Sequence, residues 1–354
     1  MANPLEWWEQ RRARERYMPR ARRDKSGRTA KVAAILLVVI LATAALLELR
    51  RGGGSDAELV ELARESGRNP LDLIEAAARS HRLVFVSDIP SAVAPKRFVE
   101  EAIERIAMGS GLDLVVLEVD SDEQPHIDRY LATSPEDPSI LLSRPRAVRE
   151  GDGASRSFLD IYRTLWRVNQ QLGAARRIRV IAADAPGWPP ARATSPAVAS
   201  RLFAERADHM TNAVMDRALG RNAGARVLFL VDGLHALKSG GGRVQTGGAA
   251  PATMTWLAAQ LHERFPADVY SILLDASPSR SISPEVAAYR GTAYGDVLRR
   301  AGLSSGTALE VRSTFDEVSR SPIRTAGTTG VDFTLEPRAL RMTEIADAYV
   351  YFGS

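Results

Sequence analysis

The sequence predicts an α/β fold, in which a mostly parallel sheet has helices on both faces and is preceded by one N-terminal transmembrane helix. From residue 56 onward, short and nearly continuous apolar runs alternate with longer helical runs. Such alternation is typical of parallel strands that are covered on both faces. A separate apolar run close to the N-terminus has basic residues in front of it. The composition, 45% hydrophobic and 25% charged, is that of an ordinary folded chain.

The transmembrane prediction depends on the segment "VAAILLVVILATAALL" at 32–47, which is apolar apart from Thr43. At a rise of about 1.5 Å per residue this segment spans about 24 Å, and Lys31 and Arg50 extend its reach by snorkelling toward the two bilayer surfaces. Residues 11–31 carry ten Lys and Arg. The positive-inside rule therefore places the N-terminus in the cytoplasm and the bulk of the chain outside it.

Four segments follow from these features: a basic cytoplasmic arm at 1–31, a transmembrane anchor at 32–49, a Gly-rich linker at 50–55 and an extracytoplasmic α/β domain at 56–354. This organisation predicts a single-pass protein of the inner cell membrane, which contacts the bilayer through residues 32–49. A cleaved signal peptide is the alternative, because "ATA" at 42–44 resembles a small-residue cleavage site.

The basic character of the chain belongs to its N-terminal arm. Residues 1–51 contain 12 Lys and Arg against 5 Asp and Glu, whereas the rest of the chain contains 35 basic and 38 acidic residues. A nucleic-acid-binding domain would show a basic face, so nucleic acid is not expected as a partner. The chain has no cysteine, which excludes disulfides, thiol nucleophiles and Cys-based zinc sites.

The helices and strands of the domain are predicted from periodicity, in chain order. Two helices come first, "DAELVELARES" and "NPLDLIEAAARS", and the second has Asn69 as its N-cap and Pro70 in its first turn. Runs rich in Val, Ile and Leu then predict strands, and longer runs between them predict helices. The strands are predicted at 82–87, 112–119, 177–184, 226–232, 269–275 and 348–353, and the later helices at 95–108, 155–172, 197–219 and 252–264.

A carboxylate stands at or directly after the end of five predicted strands. The five residues are Asp88, Glu118, Asp184, Asp232 and Asp275. The carboxyl ends of parallel strands lie along one edge of the sheet, where ligands bind in such folds. We therefore expect these acidic groups to converge on one edge. Two or three of the five are instead expected to cap the following helices, since Asp is a favoured N-cap residue. Glu118 is the least cap-like, because "VVLE" embeds it at the end of its strand.

His235 lies just beyond the strand "RVLFLVD". A histidine at this edge is a candidate general base, because its ordinary pKa is close to neutral pH. A structural histidine that only makes hydrogen bonds is the alternative. The Gly-rich segment "SGGGRVQTGG" that follows is predicted to be a flap over the edge or a flexible loop.

Two further motifs are excluded by their context. "GLSSG" at 302–306 has the spacing of a nucleophile elbow, but it follows a helical run rather than a strand. Gly302 is therefore predicted to end a helix. "HALKS" lacks the glycine spacing of a phosphate-binding loop and does not lead straight into a helix. A nucleoside triphosphatase is not expected.

Several segments together resemble the superfamily of erythromycin esterases, ChaN-like proteins and Tiki proteins. The opening "RLVFVSDIPSAVAPKRFVEEAIERIA" and "GLDLVVLEVDSDEQPHIDRYL" are similar to the first strand, helix and second strand of that superfamily. "ERADHMTNAVMDRAL", "ARVLFLVDGLHALK" and "ADAYVYFGS" resemble its later elements, so the resemblance covers roughly residues 80–354. It implies that Glu118, Arg206 and His235 match site residues. It also implies either water activation, as in the esterases, or an association with haem, as in the ChaN branch.

The first loop departs from that superfamily. Where its members have Gly-Glu and a His three residues after the Glu, this chain has Ser87, Asp88 and Ser91. Asp88 keeps an acidic side chain at the position of the Glu but is one carbon shorter, and the His is absent. Ser91 cannot act as a general base near neutral pH. The resemblance therefore implies a scaffold whose catalytic loop is degenerate.

Two classes of function follow. The first is a membrane-anchored domain that binds a small-molecule ligand or an envelope protein and has lost catalysis. The second is an active esterase-like hydrolase that uses Asp88, Glu118 and His235 as catalytic residues. In either class Arg206, Asp184 and Asp232 are the expected ligand-binding residues. The sequence requires no cofactor and predicts no metal ligand set, while the resemblance leaves haem or a divalent metal open.

Overall fold

The computed structural model describes ten stretches of the chain: 56–89, 92–144, 147–148, 155–188, 196–246, 252–275, 293–303, 306–318, 331–335 and 341–353. The predicted arm, anchor and linker lie outside these stretches, and so does Ser91. Within the described stretches, no helix combines the length and the apolar character that crossing a bilayer requires.

Within the part of the chain that the structure describes, ten strands form two sheets. The strands are β1 (Leu83–Asp88), β2 (Leu114–Asp120), β3 (Arg179–Asp184), β4 (Val227–Asp232), β5 (Gly241–Thr246), β6 (Ala252–Thr255), β7 (Val269–Asp275), β8 (Thr307–Glu310), β9 (Val331–Leu335) and β10 (Ala348–Tyr351). The main sheet has seven strands in the order β3-β2-β4-β1-β7-β10-β8. Its neighbouring strands are parallel except for β8, which runs antiparallel to β10. The predicted mostly parallel sheet is therefore confirmed.

Helices connect the strands. They are α1 (56–66), α2 (Pro70–Ser80), α3 (Val93–Met108), α4 (Gln124–Ala132), α5 (Ser139–Leu142), α6 (Ser155–Leu172), α7 (Pro196–Val214), α8 (Leu257–Arg264), α9 (Ala293–Arg300), α10 (Ser313–Val318) and α11 (Met342–Ile345). A π-helical turn at Met215–Leu219 extends α7. Two predicted helix ends are confirmed. The Asn69 side chain accepts a hydrogen bond from the Leu71 amide, and Gly302, with φ of +69°, follows the end of α9.

The core lies on both faces of the main sheet, as β1 illustrates. Val84 and Val86 belong to a buried cluster with side chains of α2, α3 and α6. Leu83 and Phe85 belong to a second cluster with side chains of α7 and α8. Successive strand residues point to opposite faces, so a continuous apolar run fits a strand that is covered on both sides. The predicted arrangement of helices on both faces is confirmed.

The second sheet has three antiparallel strands in the order β6-β5-β9. Two strands of this sheet, β6 and β5, were not predicted from the sequence. The predicted helix at 252–264 is wrong in its first part, because Ala252–Thr255 forms β6 and the helix begins only at Leu257. The predicted Gly-rich flap is β5 from Gly241 onward. Gly241 suits a strand here because a β-carbon built on it would lie 2.5 Å from the Met254 carbonyl oxygen on β6.

Candidate functional site at the carboxyl edge of the main sheet

The carboxyl ends of the parallel strands bring the predicted acidic residues to one edge. Asp88 and Asp232 are direct partners in the ladder between β1 and β4. Asp120 and Asp184 are partners between β2 and β3, after a register shift in β2. Glu118 lies in that shifted part of β2 and is buried. The predicted convergence of strand-end carboxylates on one edge is confirmed.

Arg206 reaches this edge from α7 and pairs there with acidic residues of β2 and β3. Its Nε and Nη2 atoms donate hydrogen bonds to the Asp184 carboxylate at 2.7 and 2.6 Å. Nη2 also donates to Glu118 Oε1, and the guanidinium carbon lies 4.4 Å from the centre of the Trp188 ring. Burial acts to lower the pKa of Arg206, but Asp184, Glu118 and Asp232 outweigh it and raise that pKa. Arg206 is therefore a fixed, permanently charged group.

Asp232 connects this ion cluster to the loop after β4. Its backbone amide donates a hydrogen bond to Glu118 Oε2, so the two Glu118 oxygens bind different partners. The Asp232 carboxylate accepts a hydrogen bond from the Leu234 amide at 2.9 Å and forms an Asx turn. This turn leads the chain from the end of the strand to His235.

His235 lies beside the ion cluster and is 3% exposed. Its ring is edge-on to Trp256, with the centroids 6.2 Å apart, and its buried Nδ1 atom has no hydrogen-bond partner. Burial lowers the pKa of His235 to about 4, with Arg206 acting in the same direction and Glu118 and Asp184 opposing it. The imidazole is consequently neutral near physiological pH.

Asp88 is bound by a residue that sequence reasoning missed. Lys96 on α3 donates to Asp88 Oδ1 at 2.7 Å, and the exposed fractions of the two side chains are 0% and 1%. The lysine also donates to the backbone carbonyls of Ile89 and Ala92, at 3.3 and 3.4 Å. Its Nζ atom lies 5.4 Å from the centre of the Phe158 ring. The ammonium group is thus fully engaged within the protein.

The expectation that strand-end carboxylates cap helices fails for Asp88, because Ala92 is the N-cap residue of α3. The cap after β2 is Asp120, whose side chain accepts a hydrogen bond from the Asp122 amide. Asp275, the fifth strand-end acid, accepts a hydrogen bond from the Tyr349 hydroxyl. This hydrogen bond joins the end of β7 to β10.

A signal for Lys96 exists in the sequence. Lys96 shares one face of α3 with Val99 and Ile103, three and seven residues later, and all three are buried. A lysine on an apolar stripe predicts a buried partner, since lysine is almost never fully buried unless it is paired. Two tryptophans lie beside the site. Trp188 follows the end of β3 and Trp256 directly precedes α8, and no sequence pattern marks either of them as a site residue.

The described residues do not fit a divalent metal ion. Within the described stretches, no three His, Asp or Glu side chains converge as metal ligands. The carboxylates best placed to act as ligands, Glu118 and Asp184, are already bound to Arg206. No role in the site is therefore derived for a metal ion.

Comparisons with known proteins were made for the sequence and for the fold. No protein-family model matches the sequence, and a search of the curated proteins finds no match. Among solved structures, a mutant of the erythromycin esterase EreC in its open conformation has a TM-score of 0.49 at 10% identity, over 78% of this chain and 92% of that chain. A Bacillus cereus protein has a TM-score of 0.49 at 11% identity, over 83% of this chain and 96% of that chain. The type III effector HopBA1 has a TM-score of 0.40 at 14% identity, over 60% and 85%.

An erythromycin esterase is thus among the structures to which this chain is similar. At such low identities and TM-scores, the similarity carries no argument about activity. The function of the edge has to follow from its own residues.

Proposed function

We propose that residues 56–354 bind a small ligand at the carboxyl edge of the main sheet without hydrolysing it, and that residues 32–49 anchor this domain in the inner membrane. The observation that carries the proposal is the buried ion pair between Lys96 and Asp88. In the superfamily that the sequence resembles, the corresponding loop provides an acid and a His. Here the acid is neutralised by a lysine from the next helix, and the His is absent.

The chemistry of His235 also favours binding. A general base is most effective when its pKa is near the operating pH. Because burial lowers the pKa of His235 to about 4, the ring has little tendency to take a proton from water near neutral pH. A neutral imidazole still accepts one hydrogen bond and donates another. His235 therefore suits ligand binding better than proton abstraction.

The remaining residues suit a preformed binding site. Arg206 is held by Glu118 and Asp184 and is stacked on Trp188. A group that is already fixed loses little conformational entropy when a ligand arrives, which favours affinity. Together with Asp232 and His235, these groups present charge, hydrogen-bonding atoms and an aromatic face on one edge.

The proposal is tested with the full-length chain, purified in a mild detergent and incubated with a panel of aryl esters and lactones. Hydrolysis is followed spectroscopically, and binding is followed by the thermal stability of the protein. We expect some compounds to stabilise the protein without being hydrolysed. His235→Ala should reduce that stabilisation, while His126→Ala, a histidine on α4, should leave it unchanged.

Turnover of any compound by the wild-type chain would contradict the proposal. If His235→Ala then lowered the rate by about 10²–10⁴-fold, as is typical for loss of a general base, the alternative hydrolase with Asp88, Glu118 and His235 would replace it. The anchor is tested separately with a reporter fused after Ser354, which should be active only outside the cytoplasm. Reporter activity in the cytoplasm would overturn the proposed topology.

A further inference from the structure

Two neighbouring buried rings at the candidate site carry nitrogen atoms that make no hydrogen bond. His235 is 3% exposed and Trp256 is 1% exposed, and their rings meet edge-on with the centroids 6.2 Å apart. Among the residues that the structure describes, neither His235 Nδ1 nor Trp256 Nε1 has a hydrogen-bond partner. Most buried polar side-chain atoms in proteins are hydrogen-bonded, so two such atoms in contacting rings indicate a place for a ligand.

The backbone holds both rings at the start of α8. Trp256 is the N-cap residue of that helix, and its side chain makes no capping hydrogen bond. The Ala258 amide, in the first turn of α8, donates a hydrogen bond to the His235 carbonyl oxygen at 2.9 Å. The loop after β4 is therefore joined to α8, and the two rings are positioned before a ligand arrives. A preformed pair of polar groups loses little conformational entropy on binding.

This pair of rings belongs to the carboxyl edge of the main sheet. Glu118, Arg206 and Asp184 all act on the pKa of His235, which places its ring beside these charged side chains. Trp256 is part of a buried apolar cluster. A group that the two rings bind is therefore at the edge where the ligand is proposed to bind.

The two nitrogen atoms need different partners. The indole Nε1–H of Trp256 can only donate a hydrogen bond. His235 is neutral near physiological pH, so one of its ring nitrogens carries a proton and the other a lone pair. Buried N–H groups without a partner are rarer than buried acceptors without one, which favours the proton on Nε2 and the lone pair on Nδ1. The pair of rings then offers one donor and one acceptor.

We propose that His235 and Trp256 bind an amide group of the ligand whose N–H and C=O lie on the same side, as in a lactam or a primary carboxamide. This inference rests on the proposed binding function and names its ligand class. The ligand N–H donates to His235 Nδ1, and the ligand oxygen accepts from Trp256 Nε1–H. Two hydrogen bonds of about 2.9 Å, with a small group between them, span the distance between the rings.

Other carbonyl compounds satisfy only half of this pair. An ester or a ketone has the acceptor but no N–H, so it leaves the buried Nδ1 atom without a partner, which costs free energy. In a trans peptide group the N–H and the C=O point to opposite sides, so one peptide group cannot reach both rings in the same way. The arrangement therefore selects for an N–H beside the carbonyl group.

The test compares four compounds that are built on the same five-membered ring: 2-pyrrolidinone, N-methyl-2-pyrrolidinone, cyclopentanone and γ-butyrolactone. Of these, 2-pyrrolidinone alone has an N–H beside its carbonyl group. The full-length chain, in a mild detergent, is labelled with ¹⁵N in its tryptophans and histidines, and the Trp256 indole signal is identified by its loss in Trp256→Phe. Binding is read from saturable changes in that signal. We expect 2-pyrrolidinone to bind at least about fivefold more tightly than the other three, because it satisfies both nitrogens.

Variants separate the two hydrogen bonds. His235→Phe removes the acceptor and should abolish the preference for 2-pyrrolidinone over cyclopentanone. Trp256→Phe removes the donor and should weaken the binding of both compounds several-fold, as read from the imidazole signal that His235→Phe lacks. The matched control is Trp166→Phe, because Trp166 on α6 donates to the Thr133 carbonyl oxygen at 2.9 Å. This control should bind 2-pyrrolidinone as the wild type does, and the wild-type preference decides the matter if a site variant folds poorly.

The possible failures are distinguishable. Binding of cyclopentanone or N-methyl-2-pyrrolidinone as tight as that of 2-pyrrolidinone would overturn the amide as ligand class and leave the binding function standing. A His235 signal that shows the proton on Nδ1, or no response to any of the four compounds, would overturn it as well. The panel of aryl esters and lactones then still decides the binding function. Hydrolysis of γ-butyrolactone would contradict binding without turnover, whereas the preference for 2-pyrrolidinone would still decide the amide.

Discussion

Lys96 Nζ lies 2.7 Å from Asp88 Oδ1 at the end of β1, and both side chains are buried. Removing one partner of a buried ion pair leaves an uncompensated charge, which typically costs about 3–5 kcal/mol. Lys96→Met should therefore lower the free energy of unfolding by an amount of that order, measured by urea denaturation. The double variant with Asp88→Asn should recover part of the loss, because no buried charge then remains.

A surface ion pair provides the comparison for this prediction. Arg300 lies 3.3 Å from Asp56 in an exposed pair, and such pairs contribute about 0–1 kcal/mol. Arg300→Met should thus have little effect on unfolding. If Lys96→Met were equally harmless, the buried pair would not be formed in solution.

The stability of the protein should fall in acid because of His235. Its pKa is lowered to about 4 in the folded protein, whereas an unfolded histidine has a pKa of about 6.5. As the pH falls from about 6.5 to about 4, the unfolded chain takes up a proton that the folded protein does not, so the free energy of unfolding decreases, by up to about 3 kcal/mol from this group.

His235→Gln should make the free energy of unfolding less dependent on pH across that window, as measured by urea denaturation at a series of pH values. His126→Gln, on α4, is the matched control and should retain the wild-type dependence. An imidazole signal of His235 that titrates near its ordinary pKa of about 6.5 would show that the ring is not buried as described.

Gly295 on α9 has no room for a side chain. A β-carbon built on Gly295 would lie 2.3 Å from Asp275 Oδ2, closer than any ordinary contact. Gly295→Ala should force α9 and the end of β7 apart and destabilise the protein by about 1–3 kcal/mol, the usual cost of overpacking. Thermal denaturation would measure this loss.

Two comparisons make the result specific. Gly224→Ala is the control, because the nearest atom to a β-carbon there is Asn222 Oδ1 at 3.5 Å. Asp275→Ala in the Gly295→Ala background should restore part of the stability by removing the atom that clashes. A double variant no more stable than Gly295→Ala would mean that the clash is not with Asp275.

The outer edge of β3 is covered by a side chain. The Gln124 amide nitrogen donates to the Val180 carbonyl oxygen at 2.8 Å, and its amide oxygen accepts from the Ala182 amide at 2.9 Å. The glutamine thus takes the place of a peptide group from a neighbouring strand. Uncovered edge strands tend to pair with other chains, so Gln124→Ala should increase concentration-dependent association in analytical ultracentrifugation.

Gln260→Ala is the control for this effect. Gln260 is on α8, where its side chain bonds to Asp208 and to the Thr255 carbonyl oxygen and does not cover the edge of the main sheet. Equal association of the two variants would contradict a protective role for Gln124.

Much of the fold followed from local patterns. The run "RVLFLVD" predicted β4 because a strand buried on both faces needs apolar residues in succession. "NPLDLIEAAARS" predicted α2 and its Asn69 cap for equally local reasons. The segment at 252–255 could not be predicted in the same way, because "ATMT" becomes a strand only by pairing with β5, which is a non-local contact.

The sequence by itself determined which edge of the sheet carries the acidic residues, since the strands are parallel and their carboxyl ends must meet. It also placed Glu118, Asp184, Asp232 and His235 at that edge. Only the tertiary structure decided how their charges are paired. Arg206 reaches Glu118 across 88 residues of sequence, and Lys96 reaches Asp88 because a turn of α3 packs over the end of β1. Such pairings depend on distances between side chains of different elements, and those distances, unlike periodicity, are fixed only when the elements pack.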